Sequence, residues 1–179
     1  MTLKEKKIAV IIAFRDFRDE EYFLPRQIFE KAGLEVKTVS TQLGKAVGAD
    51  GGEAEVNLLL DDLKITDFDA IVFIGGPGMV KNIDSQLHQK IAREAVEANK
   101  ILGAICIAPA ILAKAGTLEG KKAAVWSSPL DKSAVKILKE NGADYQKDSL
   151  VVDGKIITAN GPGAAKEFGQ KIVEGLTNQ

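Results

Sequence analysis

Cysteine occurs once in this sequence, at Cys106, and histidine once, at His88. One cysteine cannot close an intrachain disulfide, and without a CxxC pair or a Cys/His cluster no metal site is recognisable. No metal and no cofactor is therefore expected, and a reducing, cytoplasmic setting is the default. Charge of one sign is also missing. The formal net charge is -1, so no long-range field draws the chain to nucleic acid or to an anionic membrane. Long apolar runs are absent, and none approaches the length of a membrane-spanning helix. The short run Ile8–Phe14 follows a basic start but ends at Arg15-Asp16 without a small-residue cleavage site. That makes it a better strand than a signal peptide. Prolines number only 5 and are scattered, so there is no Pro-rich linker, and no repeat or low-complexity segment is found.

What is present is ordinary globular material, with 45% hydrophobic and 27% charged residues. A chain of 179 residues is long enough for one domain with a substantial core and too short for two, so a single domain over residues 1–179 is expected. Apolar runs of strand length, Ile8–Phe14, Leu34–Val39, Ala70–Ile74, Ile101–Ile105 and Ala123–Trp126, alternate with amphipathic segments of helix length. All but the last are nearly continuous in hydrophobicity, as strands buried on both faces of a parallel sheet should be. Between them Ile83, Leu87, Ile91 and Ala95 recur at helical spacing, and His88, one residue beyond Leu87, is expected to be solvated. Val135 and Leu138 with the stop signal Asn141-Gly142 mark another helix, and Phe168, Ile172 and Leu176 a last one that begins near Asn160-Gly161-Pro162. Leu150-Val151-Val152 and Ile156-Ile157-Thr158 around Asp153-Gly154 read as a hairpin. A second hairpin is expected from Lys45-Ala46-Val47 and Glu55-Val56-Asn57, joined through Ala49-Asp-Gly-Gly52. The alternation predicts a three-layer α/β sandwich, a mostly parallel sheet with helices on both faces.

In such sheets ligand chemistry collects beyond the carboxyl ends of the strands, and three segments leave strand ends unusually. In the first, Cys106 lies between the buried run ending at Ile105 and a helix opened by Pro109. Its flanks, Ala104-Ile-Cys-Ile-Ala108, place small residues two positions to either side, as a nucleophile elbow requires. The helix N-terminus is expected to favour the thiolate and lower the Cys106 pKa; the plain alternative is a small buried hydrophobe. In the second, Ile74-Gly75-Gly76-Pro77-Gly78, glycines after a buried strand can gather backbone N–H groups into an anion-binding concavity. It is neither a P-loop nor GxGxxG, and the plain alternative is a turn. In the third, Arg15 to Pro25, Glu20 and Glu21 adjoin a helix start. Glu21 shares a helical face with Leu24, Ile28 and Ala32 and should point inward, where an apolar setting keeps a carboxyl protonated. Glu20 shares its face with Gln27 and Lys31 and should be wetter.

Together and in this order, "KIAVIIAF", "DFDAIVFIGGPG", "ILGAICIAPAIL" and "IITANGPGAAKEFG" resemble the ThiJ/PfpI family (the DJ-one superfamily, related in fold to class I glutamine amidotransferase domains) along essentially the whole chain. The resemblance implies a flavodoxin-like fold and a homodimer or larger assembly. It implies an elbow cysteine at Cys106, an inward acid at Glu21, and oxyanion donors at Gly75, Gly76 and Ile107. Two positions depart from the family. PfpI-type members carry His directly after the cysteine, where this chain has Ile107, and others carry His where Ser128 stands. A Cys-His protease or amidase dyad is thus unsupported within one subunit, although His88 from a neighbouring subunit stays open. The reading that results is glyoxalase- or deglycase-like chemistry on small reactive carbonyls through Cys106 and Glu21. The alternative is a cysteine-based redox sensor or stress-response protein whose partner is an oxidant.

Overall fold

A computed structural model describes residues 3–178, so positions 1, 2 and 179 of the expected domain lie outside the described residues. Its centre is a 7-stranded sheet in the order β11-β12-β8-β7-β1-β3-β6. The strands are β1 (Lys7–Ile11), β3 (Glu35–Ser40), β6 (Leu58–Leu59), β7 (Ala70–Phe73), β8 (Ile101–Ile105), β11 (Leu150–Asp153) and β12 (Ile156–Ala159). All neighbours pair parallel except β11 with β12. The middle strands β7 and β8 are buried at every position. Their unbroken apolar runs follow from helices covering both faces, which leaves no strand face for water. The helices are α1 (Asp19–Lys31), α2 (Gln86–Glu97), α3 (Pro109–Lys114), α4 (Ser133–Glu140) and α5 (Ala165–Thr177). The chain is a three-layer α/β sandwich of the flavodoxin-like kind.

Three smaller strands, β2 (Arg15–Phe17), β4 (Gly44–Gly48) and β5 (Glu53–Val56), form a separate sheet. The expected hairpin through Ala49–Gly52 is its antiparallel β4–β5 pair, with Lys45 opposite Glu55 and Val47 opposite Glu53. The hairpin at Asp153-Gly154 is β11–β12, and its second strand continues the main sheet beside β8.

Two expectations need correction. Ala123–Trp126 does not join the main sheet. Only β9 (Lys122–Ala123) is extended there, paired with β10 (Asp144–Tyr145). β12 already holds the place beside β8, and the next backbone N–H, of Ala124, donates to the Thr158 hydroxyl at 2.9 Å. His88 is not solvated: it is 3% exposed, whereas Leu87 is half-buried. The α2 helix begins after the Ser85 cap, and its inward stripe runs His88, Ile91, Ala92, Ala95, leaving Ile83 ahead of the helix. Burial holds the His88 imidazole neutral, with its pKa lowered to about 4. Its Nδ1 bonds the Ser85 hydroxyl at 2.8 Å.

Candidate functional site

Beyond Ile105 the chain reverses at Cys106, which adopts φ 64°. An L-residue in the left-handed region is strained unless its surroundings hold it there. Here the Cys106 N–H donates to Ala159 at 2.9 Å, and the Cys106 carbonyl accepts from Trp126 at 2.8 Å. The turn is therefore anchored to β12 on one side and to the segment after β9 on the other. Ala104 and Ala108 are fully buried, and larger side chains there would meet the packed core. The elbow read from the sequence is present.

Glu21 reaches the same place from the first turn of α1. It is 0% exposed, while Glu20 faces water. The buried face of α1 comprises Glu21, Tyr22, Pro25 and Phe29, whereas Leu24 is 39% exposed. The inward stripe is thus rotated by about one position from the expected Leu24–Ile28–Ala32 line, because α1 packs through Pro25 on Gly169 of α5. Glu21 belongs to both faces, so its inward position survives the rotation.

The Gly75 N–H donates to Glu21 Oε2 at 3.0 Å. Gly75 is accordingly not the free oxyanion donor that was expected, since its N–H is committed to holding the carboxyl. The position must be glycine: a Cβ there would lie 2.5 Å from Cys106 Cβ and 2.8 Å from Glu21 Oε2. Gly76, at φ 109°, must be glycine as well, for a Cβ would lie 2.4 Å from the Arg18 nitrogen. The backbone N–H groups of Gly76 and Ile107 lie close enough to the Cys106 thiol to pull its pKa down. These two remain as donors beside the sulfur.

Glu21 Oε1 is the one buried side-chain polar atom among the described residues without a conventional hydrogen-bond partner. The thiol and the carboxyl still shift one another, so they form a close contact rather than a well-aligned bond. Burial raises the Glu21 pKa to about 7, against the opposing pull of the thiol, the Gly75 N–H and the Arg18 charge. Burial, and then the Glu21 charge, push the Cys106 thiol up to about 12, against the Gly76 and Ile107 N–H groups. The sign is opposite to the expected depression. The sulfur is 9% exposed as part of its residue, and α3, at 6 residues, carries too short a dipole to offset that burial.

Above the sulfur opens a cavity of about 340 Å³ lined by Arg18, Pro77, Val80, Trp126, Asp131 and Ile137, among others. Arg18 and Trp126 lie in segments singled out from the sequence, yet neither was marked as a cavity residue. Nothing local announces it, because the cavity is assembled from the segments that follow β2, β7, β8 and β9 and from α4. His88 is absent from the lining, and Ser128 is as well. No imidazole of this chain reaches the thiol. Among the described residues no group of three or more His, Cys, Asp or Glu side chains could hold a metal ion.

Residues 6–175 match the DJ-1/PfpI family. The chain belongs to that family. An uncharacterized protein of Methanocaldococcus jannaschii is 39% identical over 97% of this chain and 84% of its own length. Protein/nucleic acid deglycase 2 of Escherichia coli is 31% identical, over 94% of this chain and 96% of its own. Among solved structures, a ThiJ/PfpI domain protein from Brachyspira murdochii superposes with a TM-score of 0.92 at 32% identity, covering 97% of each chain. DJ-1/PfpI membership accounts for the sandwich and the elbow together. It covers proteins of glyoxalase, deglycase and protease-like description, so the chemistry must come from this chain's own site.

Proposed function

We propose that this DJ-1/PfpI protein acts on small reactive carbonyl compounds, in the manner of a glyoxalase or deglycase, with Cys106 as nucleophile and Glu21 as proton carrier. The observation that carries the reading is the unpartnered, buried Oε1 of Glu21 beside a strained elbow thiol. A carboxyl with a pKa near 7 is suited to both accept and return a proton at neutral pH. The ionised carboxylate takes the thiol proton as sulfur bonds to the carbonyl carbon. The electron pair of the C=O bond moves to oxygen, the Gly76 and Ile107 N–H groups receive the developing charge, and Glu21 returns the proton to that oxygen. The product of this step is a hemithioacetal, with no oxidant or reductant required. With a 2-oxoaldehyde, moving one proton from the hemithioacetal carbon to the neighbouring carbonyl carbon, and the hydroxyl proton to that carbonyl's oxygen, gives a thioester, and water then releases a 2-hydroxy acid and the free thiol.

The redox alternative needs a standing thiolate for peroxide to oxidise. A thiol pushed up to about 12 supplies little of one at pH 7, which favours chemistry in which proton transfer accompanies attack. The resemblance to a protein named a deglycase supports the same choice. The test is lactate formation from methylglyoxal without added thiol. Activity should rise through pH 7 as Glu21 ionises, vanish in Cys106→Ser, and fall by about 10²-fold or more in Glu21→Gln. Undiminished turnover in Glu21→Gln would overturn the mechanism, and no turnover by the unmodified protein would overturn the function.

A further inference from the structure

Among the described residues Arg18 is the one basic residue that lines the cavity above Cys106. Its main chain is fixed, since its N–H donates to the Gly75 carbonyl at 3.1 Å and its carbonyl accepts from Tyr22 at 3.2 Å. The guanidinium is less firmly committed. Its ion pair is with Asp50 at 3.5 Å, where the Arg18 side chain is 33% exposed and that of Asp50 56%. An exposed pair at that distance contributes little, and it leaves most of the five donors of the fork without an acceptor. The charge nevertheless acts inward, because it lowers the pKa of Glu21. On the other side of the cavity Asp131 accepts from the Ser133 N–H at 2.8 Å, so its charge is partly compensated at home. Apart from Cys106 and Ser133, the rest of the lining is apolar: Gly76, Pro77, Val80, Ile83, Ile107, Trp126 and Ile137. A small, mostly apolar cavity with one underused guanidinium near the nucleophile is built for a ligand with one anionic end.

Resting on the carbonyl reading above, we infer that the cavity prefers carbonyl compounds bearing a carboxylate close to the reacting carbon, 2-oxo acids of glyoxylate size, and that Arg18 is the specificity-determining residue that receives the carboxylate. The carbonyl carbon is then presented to sulfur, and the thiol S–H adds across C=O as in the neutral case, with sulfur on carbon and the proton on oxygen. Arg18 takes no part in that transfer. It positions the anion and screens it from Glu21 when that carboxyl is ionised.

Two isosteric alkylating agents test the inference independently of turnover. Iodoacetate carries a carboxylate where iodoacetamide carries a neutral amide, and Cys106 is the only thiol they can label. The ratio of their rates, divided by the same ratio for 2-mercaptoethanol, cancels the thiolate population. The expected normalised ratio is about 10, with a decline at high salt. It should drop to about 1 in Arg18→Gln and be largely retained in Arg18→Lys. Asp50→Asn, which frees the guanidinium, should raise it. That variant decides the matter should Arg18→Gln expose the thiol generally, seen as iodoacetamide labelling at the free-thiol rate. A ratio at or below 1 in the unmodified protein, or one indifferent to Arg18 and Asp50, overturns the inference. If methylglyoxal is not turned over but the ratio behaves as expected, the anion preference stands and the glyoxalase-like reaction alone is lost.

Discussion

Cys106 and Glu21 share one low-dielectric pocket, and neither titrates alone. Because the carboxylate is the second cause of the raised thiol pKa after burial, replacing it with a neutral isostere should lower that pKa without restoring an ordinary thiol. Thiolate absorbance near 240 nm, blanked with Cys106→Ser, checks this. The unmodified protein should show no thiolate step between pH 7 and 9, and the Glu21→Gln midpoint should lie lower yet still above the free-thiol value of about 8.5. A midpoint below that value in the unmodified protein would reinstate the depressed thiol that the elbow and helix N-terminus suggest. The elbow was legible because small residues at fixed offsets are a local signature. The sign of the pKa shift was not, since it depends on how much of the core closes over the sulfur.

The placement of Glu21 depends on how α1 sits on its neighbours. A Cβ on Gly169 of α5 would come within 2.9 Å of Pro25 Cα, with Ile28 Cδ1 at 3.1 Å. Backbone cannot yield as a side-chain tip can, so Gly169→Ala should push α1 outward. Helix propensity alone predicts a gain of about 1 kcal/mol for this change, whereas overpacking predicts a loss of about 1–3 kcal/mol. A net loss of about 1–2 kcal/mol is expected from urea unfolding, together with reduced carbonyl turnover as Glu21 moves. A stabilised variant would mean that the two helices are not in close contact. Helical periodicity brings α1 and α2 within one position of their true inward faces. That margin suffices for Glu21, which lies on two candidate faces, and fails for His88, which lies beside one.

Buried ionisable groups of opposite sense shape the stability of the whole fold. Glu21 has its pKa raised from 4.5 to about 7. Its stabilising contribution is full below pH 4.5 and is lost as pH rises through 7, because the folded state holds the proton longer. His88 has its pKa lowered from 6.5 to about 4. Its contribution is full above pH 6.5 and is lost as pH falls through 4, because the unfolded state takes the proton first. Each is worth roughly 3 kcal/mol over its window. Between pH 4.5 and 6.5 the two slopes oppose and nearly cancel. His88→Gln should therefore lose about 2 kcal/mol, relative to the unmodified protein, on going from pH 5 to 6.5, and Glu21→Gln should gain about as much. Urea midpoints at the two pH values give the slopes whatever the absolute cost of each substitution. Parallel slopes in all three proteins would show that neither group is buried as described.

The sequence by itself determined the layered α/β architecture, both hairpins, the elbow at Cys106 and the inward acid at Glu21. These rest on local rules: continuous apolar runs of strand length, period-3.6 hydrophobicity, small residues around a sharp turn, and Asp153-Gly154 between apolar runs. Tertiary structure alone decided which short strand lies beside β8, that the Gly75 N–H serves Glu21, that burial outweighs the helix dipole at the thiol, and that Arg18 lines the cavity. Each of those outcomes is a competition between groups distant in the chain for one hydrogen-bond partner or one volume. Ala124 meets Thr158 across 34 residues, and Gly75 meets Glu21 across 54. Such contests are settled by packing, which no local window of sequence contains.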